Sequence, residues 1–183
     1  MAWNWYRGMA DFKTKNKKIV MTRGYRNNNP GNIRKTSSVW IGQVLPGDDQ
    51  DFCTFSSIAY GYRAMFVLLQ NYIDKGFDTV EKIINRWAPS SENNSQAYIL
   101  HVVQLSGIPA GQVIAYSDGE TIKKLVAAIS YHENGTSPNF TDIEKGYELT
   151  GQIQTVTTIG ISTVAVLFVC AISFIVYNHY KIK

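Results

Sequence analysis

Hydrophobic positions recur at helical spacing in four stretches of the chain, at residues 58–75, 79–86, 95–106 and 119–135. Apolar side chains three and four positions apart are typical of the buried face of an amphipathic helix. Gly76 and Gly107 follow two of these stretches, and Gly135 is the last residue of a third. Glycine readily adopts the left-handed conformation that ends a helix. The pattern therefore predicts four helices that share one core.

A shorter pattern between the N-terminus and the first of these helices predicts a small hairpin. Residues 38–44 and 51–55 have the composition of strands, and residues 45–50 supply a Pro-Gly pair and acids suited to an exposed turn. Before them, residues 25–34 are rich in asparagine and contain Pro-Gly, which indicates a shaped loop. The expected fold class is α+β, mainly α.

The C-terminal part has a different pattern. Residues 137–154 read as a polar connector, and residues 156–177 contain no charged side chain. A charge-free stretch of about 20 residues is long enough to cross a bilayer as a helix, so we predict a transmembrane helix at 155–178; a buried helix of a soluble domain is the alternative. Lys181 and Lys183 make residues 179–183 a basic tail, which favours the cytoplasmic side for this end.

Composition adds one feature to this picture, a basic aromatic arm at residues 1–22. Residues 1–35 hold nine of the 18 Lys and Arg against a single acid, Asp11. Such an arm is suited to anionic lipid or to nucleic acid, with its aromatic side chains at the interface, and a solvated tail is the alternative. The two cysteines and three histidines show no metal-ligand spacing, so no metal or other cofactor is expected.

The chemically most unusual position is Glu133, at the end of the helix predicted at 119–135. Its spacing places it on the same face as Val126 and Ile129, and it lies at the negative end of the helix dipole. Partial burial and the dipole both favour the protonated acid, which is the form needed to protonate a glycosidic oxygen. The alternative is that Glu133 bends out to solvent past Gly135.

The asparagine-rich loop is the second candidate. The side-chain amides of Asn28, Asn29 and Asn32 have donors and acceptors suited to the hydroxyl and N-acetyl groups of a sugar. The alternative is a turn that satisfies its own hydrogen bonds.

Two sets of motifs carry a resemblance to known proteins. RNNNPGNIR, the GYRA helix start and RWAPSSEN, within residues 23–135, resemble a group of bacteriophage virion structural proteins. More loosely, the order of an Asn-Pro-Gly-Asn loop, a Trp-Gly hairpin and the helix GYRAMFVLLQNY is similar to lysozyme-like glucosaminidases and lytic transglycosylases. That resemblance implies a lysozyme-like domain at 23–136 and a tyrosine in the cleft, which Tyr98 would supply.

In those enzymes the catalytic Glu ends a helix that precedes the loop, but no such helix precedes Asn27 here. We therefore expect a circularly permuted arrangement with Glu133 as the general acid. Glu92 is a weaker competitor. A second acid, if one is used, would be Asp51, with Asp49 and Asp48 behind it. The substrate-binding residues would be Asn28, Asn29, Asn32, Trp40 and Tyr98.

The expected function is that of a phage virion-associated enzyme that cleaves the glycan strand of bacterial peptidoglycan. It would be a single-pass protein held in the membrane of the virion by its C-terminal helix. The alternative is a non-catalytic structural protein that links the membrane of a lipid-containing virion to capsid proteins.

Overall fold

The computed structural model of the chain describes residues 21–89 and 94–151. Within these ranges the fold is mainly helical, as expected. The helices are α1 (Arg23–Arg26), α2 (Ile58–Asp74), α3 (Val80–Trp87), α4 (Ser95–Ser106), α5 (Gly119–Asn134) and α6 (Phe140–Glu148).

The predicted helices are confirmed to within a residue or two at their ends. Gly107 and Gly135 end α4 and α5 with positive φ values of 69° and 62°, a conformation that costs glycine little. The N-terminal caps are Thr79 for α3 and Asp118 for α5, whose side-chain oxygens accept from backbone N–H groups of the first turn.

The core lies between α2, α5 and α6, with α3 and α4 closing the side that bears the cleft described below. Its fully buried side chains are large and apolar, which is the main source of stability for a domain of this size. The largest are Phe55, Tyr62, Met65, Phe66, Leu69, Ile83, Ile84, Ile114, Ile122, Leu125, Ile129 and Ile143.

The asparagine-rich loop lies directly on α2. A Cβ atom at Gly61 would collide with the carbonyl oxygen of Asn28 and the ring of Pro30. Glycine at this position therefore allows the loop backbone to contact the helix. Asn28 and Asn32 themselves have positive φ values of 50° and 47°, which asparagine tolerates better than most residues.

The prediction of a hairpin with strands at 38–44 and 51–55 is wrong, because these residues do not form two paired strands. The described residues contain only isolated antiparallel pairings here, Arg34 with Phe52 and Gln43 with Phe55. The N–H of Gln43 bonds to the carbonyl of Trp40 and Gly42 has a φ of 80°, so the chain turns at 40–43. Residues 38–41 are thereby removed from the pairing, and residues 33–35 take their place.

Residues 137–151 differ from the expected connector because they contain α6, which packs on α2. Ile143 and Gly146 are buried, and Gly146 lies so close to Tyr62 that a Cβ atom would overlap it. Lys123 on α5 adds an ion pair with Glu144 at 2.7 Å. A nine-residue helix that docks through one isoleucine and a glycine leaves little apolar periodicity in the sequence.

Several predicted features fall outside the described residues: the transmembrane helix at 155–178, the tail at 179–183, nearly all of the arm at 1–22, and Glu92. Among the helices of residues 21–89 and 94–151, none is both long enough and apolar enough to cross a membrane.

Candidate active site

A cleft of about 410 Å³ opens between the asparagine-rich loop, α3, α4 and the end of α5. Its walls combine aromatic rings with a few polar groups, a composition typical of small-molecule sites. Its lining residues are Gly31, Asn32, Ile33, Arg34, Thr36, Trp40, Phe52, Leu68, Tyr72, Trp87, Ala88, Tyr98 and Glu133.

The Glu133 carboxylate is the point at which four segments of the chain meet. Asn32 Nδ2, from the loop, donates to Oε2 at 2.8 Å. The Tyr98 hydroxyl, from α4, donates to Oε1 at 2.6 Å, and Trp87 Nε1, from the end of α3, lies 3.4 Å from the same oxygen. All three donors are neutral groups, and the carboxylate borders the open cleft.

Glu133 is half-buried, as the helix pattern suggests, but its carboxyl group meets hydrogen-bond donors instead of aliphatic side chains. It also faces the loop and does not turn away past Gly135. The next residue, Asn134, explains this direction. Its buried Nδ2 donates to the Pro30 carbonyl at 2.8 Å, and its Oδ1 accepts from Thr22 Oγ1 at 2.6 Å, so the end of α5 is fixed to the loop.

Tyr98 is held in place by a second layer of rings. Burial and the neighbouring Glu133 carboxylate raise the pKa of Tyr98 well above its ordinary value, so its hydroxyl keeps the proton that it donates to Glu133. The His132 ring stacks on Tyr98 with centroids 3.6 Å apart. His132 Nδ1 lies 2.8 Å from Nδ1 of His101, and burial together with His101 lowers the pKa of His132.

The three asparagines proposed for sugar binding have different roles in the structure. Only Asn32 lines the cleft. Asn29 is fully buried, and its Nδ2 donates to the carbonyls of Ile33 and Cys53, both at 2.9 Å. Asn28 Nδ2 donates to the Phe55 carbonyl at 3.0 Å. For Asn28 and Asn29, the structure therefore matches the alternative interpretation of an internally bonded turn.

The candidate second acids do not line the cleft. Arg23 binds Asp49 through Nε and Nη2, both at 2.7 Å, and also binds Asp51 at 2.9 Å. The Arg23 guanidinium holds the pKa of the Asp49 carboxyl far below its usual range. The same guanidinium lies 4.5 Å from the ring centroid of Phe52, a residue that lines the cleft.

Two indole rings contribute to the cleft. Trp40 lines it as expected, and its Nε1 is buried with no acceptor among the described residues. Sequence reasoning missed Trp87 as a site residue. The available signal was its position at the end of a helix, two residues before Pro89, where the chain is expected to turn. Glu92 lies outside the described ranges, and within those ranges no three His, Cys, Asp or Glu side chains converge as metal ligands.

One carboxyl group in a cleft of this size, held by neutral donors and surrounded by aromatic rings, is suited to transferring a proton to or from a bound polar ligand. Aromatic side chains offer a flat apolar face on which a ring of similar size can lie. The site therefore has the parts that acid–base chemistry on a sugar-sized molecule requires.

No protein-family model matches this chain. Protein P5 of Pseudoalteromonas phage PM2 is 36% identical to it over 146 residues, which cover 77% of this chain and 88% of that protein. The resemblance to bacteriophage proteins is thereby confirmed.

Proposed function

This chain belongs to the family of Protein P5 of Pseudoalteromonas phage PM2. We propose that it is a phage virion protein that cuts peptidoglycan. Its domain would cleave the glycan strand with Glu133 as the general acid, in the manner of a lytic transglycosylase or muramidase. The C-terminal segment 155–178 would hold it in the membrane of the virion.

The observation that carries this proposal is the position of Glu133. The side chain closes one side of a cleft of about 410 Å³, and Asn32, Tyr98 and Trp87 fix both of its oxygens. A catalytic acid has to be oriented before the substrate arrives, because a positioned proton donor is what lowers the barrier.

The proposed reaction needs one carboxyl group. Protonated Glu133 gives its proton to the glycosidic oxygen as the bond from that oxygen to the anomeric carbon breaks. The Glu133 carboxylate then takes a proton from a hydroxyl of the same sugar while that hydroxyl oxygen bonds to the anomeric carbon. Glu133 is thereby protonated again, no water is consumed, and the product carries an internal anhydro ring.

The surroundings of the other acids favour this route over one with two carboxylates. Arg23 engages Asp49 and Asp51, and neither lines the cleft. Retaining hydrolases need a second carboxylate about 5 Å from the first, and inverting enzymes need one about 6.5–9.5 Å away. Among the described lining residues, Glu133 is the carboxyl-bearing one.

The remaining sites of the chain have separate roles in this proposal. Asn32, Trp40 and Tyr98 would contact the sugar, and the basic arm at 1–22 would contact anionic lipid or nucleic acid. Peptidoglycan would be the substrate, and capsid proteins would be the neighbours of this chain in the virion.

A second candidate function is that of a structural protein with no turnover, which links the virion membrane to the capsid. The hydrogen bonds to Glu133 favour it, because they join α3, α4, α5 and the asparagine-rich loop. The same three contacts would stabilise the fold in a protein that carries out no reaction.

The experiment that separates the two functions measures muropeptides released from isolated peptidoglycan by the full chain. The enzyme function predicts release by the wild type, almost complete loss in Glu133→Gln, and full release by Glu81→Gln, whose residue is exposed on α3. Products one water lighter than the hydrolysis products would identify the internal ring. If none of the three forms releases muropeptides, the enzyme function is rejected and the structural function is retained.

A further inference from the structure

One exposed loop of the domain is unusually apolar. Residues 36–47 contain no charged side chain. Within this apolar loop, Val39 is 63% exposed, Ile41 61%, Leu45 58% and Val44 39%. Single exposed apolar residues are ordinary on protein surfaces, but a contiguous group marks a site of contact.

The direction of these side chains separates them from the cleft. Trp40 points into the cleft, whereas Val39 and Ile41 on either side of it are exposed. The exposed side chains are therefore not needed to line the candidate active site. They form an outer surface on the same loop.

The apolar loop lies at the N-terminal end of α2. Gly42 lies against the ring of Tyr60, where a Cβ atom would overlap it, and its carbonyl accepts from the N–H of Ser56 at 2.9 Å. The loop is therefore attached to the first turn of the central helix.

The C-terminal end of the described chain reaches the same end of α2. Arg63 Nε donates to the Leu149 carbonyl at 3.0 Å, and Leu149 and Gly151 border a hollow together with Ala59. Leu149 itself is exposed. The chain thus leaves the domain beside the first six residues of α2.

The N-terminal end of the described chain also lies at the N-terminal end of α2. Met21 and Thr22 border a second hollow with Ile58 and Tyr62, so the basic arm enters the domain at this end. The apolar loop, Gly151 and Met21 are therefore grouped around the N-terminal end of α2.

The distance to the predicted membrane helix is short. Residues 152–154 separate Gly151 from residue 155, and an extended chain covers at most about 14 Å between those two positions. A domain tied this closely has one end next to the bilayer.

We propose that the apolar loop lies on the phospholipid bilayer that holds the C-terminal helix, with Val39, Ile41, Val44 and Leu45 in the head-group region. This inference rests on the anchoring part of the proposed function. Apolar side chains gain free energy in the interfacial region of a bilayer, and the basic arm at the same end would add attraction to anionic lipid. Because Trp40 lies between two of these side chains, the cleft would open close to the membrane surface.

The test uses the full chain with Cys170→Ala. The other native thiol, Cys53, is fully buried, so a single introduced cysteine carries a polarity-sensitive fluorophore. The chain is reconstituted in vesicles of phosphatidylethanolamine and phosphatidylglycerol, some of which contain nitroxide-labelled lipid. Labels go on Ile41→Cys, with Leu45→Cys as a second site. The matched control is Val113→Cys, which is 68% exposed and lies near the start of α3, beyond the other end of α2.

The proposal expects the labels at 41 and 45 to be quenched by the nitroxide lipid at least about twofold more than the label at 113, with emission shifted to the blue. If the chain still floats with the vesicles but all three sites are quenched equally, the proposed contact of the apolar loop with the bilayer is wrong. Anchoring by the C-terminal helix would stand in that case. A label at 41 that is shielded from aqueous iodide but not reached by lipid nitroxides indicates a protein partner and overturns it as well. If the chain does not float with the vesicles, both the membrane anchor and the contact of the apolar loop with the bilayer are contradicted.

Discussion

Two regions of the molecule each contain a carboxylate beside an asparagine, and they differ in what binds that carboxylate. In the turn at 48–52, Asp49 accepts two hydrogen bonds from Arg23, one from Asn27 Nδ2 at 2.7 Å, and two from the backbone N–H groups of Asp51 and Phe52. In the cleft, the described residues that donate to Glu133 are all neutral side chains, and the space beside it is open.

In the proposed function, this difference decides which acid is available for chemistry. A carboxylate paired with an arginine and bonded to backbone N–H groups is stabilised in its charged form, so Asp49 is suited to holding a turn. A carboxylate with neutral donors and an open side is able to exchange a proton with a ligand. On this account, the partners of each acid, more than its residue type, separate the structural role of Asp49 from the catalytic role proposed for Glu133.

The two regions also divide the asparagine-rich loop. Asn29 is saturated by backbone groups of Ile33 and Cys53 and, like Asn27 on Asp49, has a structural role. Asn32, three residues later, lines the cleft and contacts Glu133. Predictions about these residues therefore test whether the division is real.

The largest expected effect on stability is that of Asn29→Ala. It removes two donated bonds and one accepted bond inside the core, and unsatisfied buried groups of this kind cost about 3 kcal/mol in the free energy of unfolding. Asn71→Ala, at an exposed position of α2, should change it by less than about 0.5 kcal/mol. Urea denaturation followed by circular dichroism measures both, and equal stabilities would assign Asn29 to the surface of a ligand site instead.

The next effect is on turnover. Asn32→Gly keeps the positive φ that this position requires and removes the donor to Glu133, so muropeptide release should fall roughly tenfold or more. Asn28→Gly is the matched control, because Asn28 has nearly the same φ and lies outside the cleft. A similar loss of turnover in both variants would show that loop geometry, and not the contact with Glu133, is what matters.

A smaller effect is expected for Tyr98→Phe, which deletes the hydroxyl 2.6 Å from Glu133 and keeps the ring stacked on His132. Loss of one hydrogen bond of about 1 kcal/mol corresponds to a roughly fivefold decrease in release. Tyr116→Phe, at an exposed tyrosine, should leave the rate unchanged. An unchanged rate in Tyr98→Phe would remove Tyr98 from the orientation of the acid.

The smallest effect concerns pH and the Asp49 pair, because Arg23 is half-exposed and water screens its charge. The pKa of the Asp49 carboxyl is lower in the folded chain than its ordinary value. The pair therefore adds stability above the unfolded value of about 3.9, and this contribution is lost as the pH falls below it.

Denaturation midpoints at several pH values would measure this contribution. Asp49→Asn should be less stable than the wild type at pH 7, and the two should converge as the acid range is reached. Asp48→Asn, at the exposed neighbour, should follow the wild type at every pH. A difference between Asp49→Asn and the wild type that does not depend on pH would contradict the ion-pair explanation.

The helices that were predicted well are those whose signals are local. Apolar side chains at helical spacing and a glycine in the left-handed conformation define the ends of α4 and α5 within the stretch itself. The same reasoning missed α6, because its burial depends on Gly146 lying against Tyr62 of α2. It misplaced the strands because the turn at Gly42 depends on contact with Tyr60.

The site was predictable only in part for the same reason. The face of α5 and the resemblance to known enzymes pointed to Glu133, Asn32 and Tyr98, and the structure brings these three together. No local signal distinguishes Asn29 from Asn32, because the role of Asn29 depends on Cys53, 24 residues later. In the same way, no local signal shows that Asp51 binds Arg23, 28 residues earlier, instead of lining the cleft. Trp87 likewise becomes a site residue only through Glu133 on a distant helix.

The most direct test of the account exchanges a single carboxylate for its amide in each region and measures peptidoglycan turnover per folded molecule. Glu133→Gln should lose at least about 100-fold in release per folded molecule and keep its secondary structure. Asp49→Asn should be less stable but should retain wild-type turnover at a temperature where it is folded. Turnover that persists in Glu133→Gln, or that is lost equally in both variants, would contradict the central claim that Glu133 is the catalytic acid.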